Sequence, residues 1–300
     1  MTAGMYAARA GLRTMIAERY IPGGQVAVTF MVENYPGFDE PIGGPELAER
    51  MRRQAEKFGA VVQTGDADKV TKLDEKTWCV HLADKDASLS THAVIVATGA
   101  SHRKLGIPGE DIFWGRGVSC CGTCDGPIFR DKEIVVIGGG NTAATESLYL
   151  TRFVKKITIV HRRDRMRATK VLVDQLKVMP EKIRFEWNSA PLSINGKERV
   201  ESVTVKNVKT GKTKDIACAG VFRFIGLVPN TEFVKGIVEM DEEGYIVTQR
   251  DQSTSAAGIF ACGDASKKPL RQIIIDCGEG ALAAYAAGKY VERLKGTAYE

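Results

Sequence analysis

The chain has 300 residues, 42 of them basic and 37 acidic, giving a formal charge of +5, with 44% hydrophobic and 26% charged residues. Those proportions are those of a soluble globular chain and exclude a fibre or a disordered polymer, and no apolar run reaches the length of a membrane-spanning helix. The basic residues are dispersed rather than gathered in an aromatic-bearing stripe, which argues against a nucleic-acid partner, and the opening residues MTAGMYAARAGLRT carry no secretory signal, which favours the cytoplasm.

The length suits two domains. Along the chain, AGMYAARAG predicts a small-residue helix ending at Gly11, and LRTMIAE a strand ending in the acidic Glu18. PELAERMRRQAEKFG predicts a helix with Pro45 at its start, Gly59 at its stop and Leu47, Met51, Ala55 and Phe58 on one face. Short strands are expected near 61 to 65, 77 to 82 and 93 to 97, the last running into Ala97-Thr98-Gly99.

The clearest signal follows. In KEIVVIGGGNTAATESLYL, Ile134 to Ile137 form the continuous apolar run of a strand buried on both faces of a parallel sheet. Gly138, Gly140 and Ala143 then stand in GxGxxA spacing ahead of a helix, so that backbone N–H groups of the turn, including those of Asn141 and Thr142, can hold a pyrophosphate. The next strand, KKITIV, ends at His161, and a helix at KVLVDQLKVM completes a βαβ unit. Where NAD or FAD binding calls for an acidic residue, this unit has Arg162, Arg163 and Arg167, whose guanidinium groups suit a 2′-phosphate; NADPH is favoured over NADH. Further strands are expected near 183 to 188, 199 to 208 and 214 to 225. GIFACGD then puts Asp264 at the end of a buried strand, where open α/β sheets bind ligands, and a long helix from about Gln272 to Leu294 closes the chain. GIPGED and IGLVPNT are candidate hinges.

Glu18 occupies in the first unit the place of His161 in the second. With equal spacing, the glycines corresponding to Gly138 and Gly140 fall before Met1, so the chain is expected to begin inside its first helix, without that unit's first strand and phosphate loop, leaving Leu12 to Ala17 short of a neighbour. A start codon placed too late, or a fragment, is the expectation. Glu18 suits a ribose of FAD rather than a 2′-phosphate.

CxxCDG ahead of a strand, GGGNTA, HRRxxxR about twenty residues on, ATG near 97, IGxxPNT near 225 and FACGD near 260 together resemble the bacterial low-molecular-weight thioredoxin reductases from residue 3 to the C-terminus. The resemblance implies an α/β fold of two Rossmann-like nucleotide-binding domains, with an NADPH domain (109–228) inserted into a discontinuous FAD domain (1–108 and 229–300), and a homodimer. It places FAD at Glu18, Gly24, Gln25, Asn34, Thr98, Gly99, Gly263, Asp264, Arg271, Gln272 and Ile273, and NADPH at Gly138, Gly140, Asn141, Thr142, Ala143, His161, Arg162, Arg163 and Arg167. The chain departs from the pattern in lacking the N-terminal GxGxxG and in having Cys120 where a small non-thiol residue is expected.

Seven cysteines on a chain too large to need staples suggest free thiols plus one redox pair. Cys79, Cys218, Cys262 and Cys277, isolated among apolar neighbours, are expected to be buried structural thiols. In SCCGTCDG, reduction of a protein disulfide needs an attacking thiolate and a resolving thiol, which CxxC supplies. Two intervening residues bring Cys121 and Cys124 within bonding reach, whereas a bond between adjacent Cys120 and Cys121 closes a strained ring. Three thiolates here could also be zinc ligands, but adjacent ligands are unusual and no second CxxC or nearby histidine completes four.

By resemblance, NADPH reduces FAD, the flavin reduces Cys121–Cys124, Cys124 is the flavin-proximal thiol, Cys121 attacks thioredoxin and Asp125 is the general acid and base. The family alternates the nicotinamide and the dithiol at one flavin face by rotating one domain against the other. The alternatives are a flavoprotein reductase of another dithiol partner, peroxiredoxin or glutaredoxin-like, a ferredoxin-driven relative disfavoured by the HRR cluster, and a non-catalytic fragment.

Overall fold

A computed structural model describes residues 1–29, 32 and 34–297. The chain divides into two compact units, one made of residues 1–101 and 228–300 and the other of residues 102–227.

The contiguous unit is built on five parallel strands in the order Ile183–Glu186, Lys156–Val160, Glu133–Gly138, Gly220–Phe224, Val118–Ser119. The apolar run at 134–137 has two different covers. Ile134 and Val136 face a core with Ala143, Leu150 and Leu176 from the helices Asn141–Leu150 and Lys170–Lys177. Val135 and Ile137 face Val203 and Val205, which belong to an antiparallel sheet of Ser189–Gly196, Val200–Asn207 and Thr213–Ala217. With both faces covered, neither parity can be polar, and the alternation of a half-exposed strand is absent.

The expected strand near 214 to 225 is two strands. Thr213–Ala217 pairs antiparallel with Val200–Asn207, and Gly220–Phe224 pairs parallel with Glu133–Gly138, so the chain changes sheets at buried Cys218. A run of β-forming residues does not announce which partner each half takes. The strand Ser189–Gly196, with little apolar alternation, was not expected from the sequence.

In the discontinuous unit, Met15–Glu18 pairs parallel with Val61–Thr64, and Val94–Val96 pairs parallel with Ile259–Ala261. These are two separate two-stranded ladders among the described residues. Ala67–Lys72, Trp78–Leu82 and Ala87–Thr91 form an antiparallel sheet. The helix Thr2–Arg9 lies on the long helix Ile273–Lys295, and small residues permit the approach: Ala3 shares a cluster with Ala283, Ala286 and Ala287. Among the described residues, no helix is long and apolar enough to cross a membrane.

The four isolated cysteines do not share one environment. Cys218 and Cys262 are buried, and burial pushes each thiol up to about 12. Cys79 and Cys277 are only half-buried, which corrects the expectation for those two. Cys79 sits on a strand of the three-stranded antiparallel sheet, and Cys277 accepts a long hydrogen bond from the Tyr35 hydroxyl at 3.7 Å.

Candidate active site

In the contiguous unit, the buried strand Val118–Ser119 delivers the chain to Cys120 and Cys121, and a one-turn helix, Gly122–Asp125, follows. Cys121 and Cys124 form a disulfide across that turn, with Cα atoms 5.3 Å apart. The Cys124 backbone N–H donates to Cys121 Sγ at 3.1 Å, and the Cys121 N–H donates to Ser119 Oγ at 3.1 Å. The glycines of CGTCDG set how closely this turn lies on helix Asn141–Leu150. A Cβ at Gly122 would fall 2.4 Å from Glu146 Oε2, and one at Gly126 would fall 2.9 Å from Leu150 Cδ2.

Asp125 closes the turn. Burial raises its carboxyl above the usual range, opposed by a hydrogen bond from Ser119, so its protonated form persists to higher pH than in a free carboxyl. The neighbouring Cys120 stays free. Burial pushes its thiol up to about 12, with Arg223 pulling the other way and Asp125 adding to the rise. A thiol so placed is a poor nucleophile at neutral pH.

At the glycine turn, Gly140 is the N-cap of helix Asn141–Leu150 and no side chain caps it, which leaves the first N–H groups available to an anion. Ala143 is fully buried where a Cβ on Gly138 would come within 2.9 Å of it. Asn141 and Thr142 are exposed, and Asn141 Oδ1 accepts from the Thr169 N–H at 2.8 Å. His161 is buried, with Nε2 lacking a hydrogen-bond partner. Burial, and then Arg163, Arg167 and Arg162, hold the imidazole below its ordinary range. Those three arginines are exposed and form no ion pair among the described residues, while the Arg167 N–H donates to Gly139 O at 2.6 Å, tying their loop to the turn. Free N–H groups beside unpaired guanidinium groups fit the pyrophosphate and 2′-phosphate of NADPH.

Sequence reasoning missed a buried pair beside the dithiol. Arg223 donates through Nη1 to Glu110 Oε1, both side chains being nearly inaccessible. Glu110 also accepts from the Leu105 and Gly106 N–H groups at 2.9 and 2.8 Å, and the Arg223 guanidinium lies 4.6 Å from the centre of the Trp114 ring. The only sequence signal is an arginine inside the apolar run GVFRFIG.

In the discontinuous unit, the ends of Val94–Val96 and Ile259–Ala261 lead into Thr98-Gly99 and Gly263-Asp264. Asn230 pins the first turn, accepting from Thr98 Oγ1 through its backbone oxygen at 2.6 Å and donating to Gly99 O through its backbone N–H at 2.9 Å. Asn34 Nδ2 donates to Gln272 Oε1 at 2.8 Å, just before Ile273 begins the long helix. Gln25 donates to Ala100 O, and the adjoining Gly24 is in the left-handed region. Asp264 Oδ1 and Arg271 Nε are buried, have no hydrogen-bond partner and stand 4.0 Å apart, too far to satisfy each other by a hydrogen bond. Burial raises the Asp264 carboxyl, with Lys268 and Arg271 opposing. Two orphaned polar atoms there fit a polyhydroxylated ligand such as the ribityl chain of FAD.

Lys268, almost fully buried, bonds Asp276 and Glu279 at 2.6 Å each, a network the sequence did not announce. Glu18 ends its own ladder and accepts from the Tyr20 N–H. Among the described residues, no hydrogen bond or ion pair joins Glu18 to Asn34, Asp264 or Arg271.

The model of the pyridine nucleotide-disulphide oxidoreductase family matches residues 1–285. The chain belongs to that family. This oxidoreductase is similar to the thioredoxin reductase of Treponema pallidum, with 45% identity over 98% of this chain and 94% of that one, and to that of Bacillus subtilis, with 46% identity over 99% and 93%. Its structure is similar to the thioredoxin reductase of Streptococcus pyogenes, with a TM-score of 0.87 and 44% identity over 97% of this chain and 94% of that one. FAD and NADPH are the cofactors of these oxidoreductases, and two Rossmann-like domains are their fold.

Proposed function

We propose that this chain reduces the disulfide of thioredoxin with electrons from NADPH, passed through FAD and the Cys121–Cys124 pair. The observation that carries this reading is the disulfide itself, formed across one helical turn and seated on the helix that starts at the glycine turn. Gly138, Gly140, Asn141, Thr142 and Ala143 hold the pyrophosphate of NADPH, with Arg162, Arg163 and Arg167 on the 2′-phosphate and His161 beneath the turn. Asp264, Arg271, Gln272, Ile273, Asn34, Gly24, Gln25, Thr98, Gly99, Gly263 and Glu18 serve FAD, which supplies the conversion of a hydride into electrons for a disulfide.

Two electrons and two protons open Cys121–Cys124 to a dithiol. Asp125 takes the Cys121 proton, the Cys121 thiolate attacks one sulfur of the thioredoxin disulfide, and the displaced sulfur leaves with that proton from Asp125. Cys124 then attacks Cys121 Sγ, its proton passing to the displaced thioredoxin sulfur, which restores the disulfide and releases thioredoxin as its dithiol. The partner is thus a small dithiol protein, and the working form is a homodimer.

Trapping tests the order of the sulfurs. Cys124→Ser leaves Cys121 without a resolving thiol, so mixing it with oxidised thioredoxin should yield a covalent adduct that survives a non-reducing gel. Adduct formation by Cys121→Ser instead would reverse the assignment.

A further inference from the structure

Glu146 reaches the dithiol from another element. Its Oε2 accepts the backbone N–H of Gly122, 24 residues earlier, at 2.9 Å. Six residues after Gly140, it stands about 9 Å along the helix from the glycine turn, at about 1.5 Å per residue. Two acceptors thus share the first turn of the redox helix, the carboxylate taking the Gly122 N–H and Cys121 Sγ taking the Cys124 N–H. A side chain at position 122 would meet Oε2 at 2.4 Å, so the glycine of CGTC and the carboxylate are fitted to each other.

Burial weighs most on the neighbouring Cys120 thiol, and the charges that bear on it come from three elements. Arg223 on strand Gly220–Phe224 favours thiolate at Cys120, while Asp125 on the redox turn and Glu146 on helix Asn141–Leu150 oppose it. The Arg223 charge is already matched by buried Glu110. Glu146 is held one residue from Cys121 along the chain by its bond from the Gly122 N–H.

We propose that Glu146 is a positioning residue of the redox couple: its carboxylate anchors the Gly122 N–H to helix Asn141–Leu150 and, by its charge, biases Cys121–Cys124 toward the disulfide. The fraction of the reduced pair that is thiolate carries negative charge and the disulfide carries none, so a fixed carboxylate nearby disfavours the reduced form through that fraction. The proposal rests on the dithiol reading above, and its test involves neither flavin, NADPH nor thioredoxin.

The test equilibrates the full chain in glutathione buffers at pH 7.5. Two glutathione thiols give two electrons and two protons to the disulfide and leave as glutathione disulfide; after acid quench and thiol alkylation, mass spectrometry counts the reduced fraction of the peptide bearing Cys121 and Cys124. Glu146→Gln keeps an oxygen for the Gly122 N–H and loses the charge. Its equilibrium should move toward the dithiol by about tenfold, which is about 30 mV for a two-electron couple. Gly122→Ala keeps the charge but displaces it and should move the equilibrium the same way by a smaller factor. An E146Q equilibrium within twofold of the parent chain, or one moved toward the disulfide, overturns the proposal. If E146Q does not fold, G122A decides by the same criterion of direction.

Discussion

The imidazole of His161 lies against Gly139, so close that a Cβ on the glycine would fall 2.3 Å from ring atom Cε1 and 2.4 Å from Nδ1. The middle glycine of GGG is thus set by a ring at the end of the next strand, and the two together shape the turn. His161 is wedged in the core and cannot swing aside freely. Gly139→Ala should therefore cost about 1–3 kcal/mol of stability by overpacking and raise KM for NADPH about tenfold. Adding His161→Ala should return part of both losses. Wild-type KM and melting in G139A would show that the ring yields.

The 2′-phosphate reading rests on Arg162 and Arg163. Charge-assisted hydrogen bonds are worth about 1.5–3 kcal/mol each. Replacing both by leucine should raise KM for NADPH about 100-fold while changing that for NADH less than threefold. Equal losses with the two cofactors would contradict the assignment.

Cys120 is a bystander by its chemistry. With its thiol pushed up to about 12, almost none is thiolate at pH 7.5. Cys120→Ser should keep thioredoxin reduction within about twofold, whereas serine at Cys121 or Cys124 should abolish it. Comparable losses at all three positions, measured as thioredoxin-dependent NADPH oxidation, would mean the sulfurs are wrongly paired.

The two halves of the dithiol neighbourhood differ in how far they could be read beforehand. CGTC, GGGNTA and HRRDRMR act through spacing within one segment, and such spacing survives in a bare sequence. The contact from Glu146 to Gly122 does not: nothing in NTAATESLYL says that its one glutamate meets another element. Arg223 and Glu110 lie 113 residues apart, and although Arg223 stands inside an apolar run, nothing in the sequence names Glu110 as its partner. Asn34 and Gln272, 238 residues apart, were assigned only through resemblance. Ala67–Lys72 is hard to see because its polar residues give no apolar alternation, and Ala87–Thr91 because its alternation, ASLST, is short and carried only by Ala87 and Leu89.

His102 carries a pH prediction with a definite sign. Burial, reinforced by Arg223, lowers it from 6.5 to about 4. Between those values the unfolded chain binds a proton that the folded chain refuses, so this residue's contribution to stability is intact above pH 6.5, falls with pH down to about 4 and is level below. From pH 7.5 to pH 5 the loss is about 1–2 kcal/mol at about 1.4 kcal/mol per unit. Urea midpoints of the parent and His102→Gln should converge at pH 5 relative to pH 7.5; a gap independent of pH would contradict the low value.

If electrons from NADPH leave this protein as thioredoxin thiols by way of Cys121 and Cys124, NADPH and thiols must balance. The most direct measurement supplies the purified chain with FAD, NADPH and oxidised thioredoxin without oxygen, then counts NADPH consumed against thioredoxin thiols formed. Two thiols should form for each NADPH, and none with Cys121→Ser. Flavin-containing protein that consumes no NADPH in the presence of thioredoxin, or consumes it without forming thiols, would contradict that route.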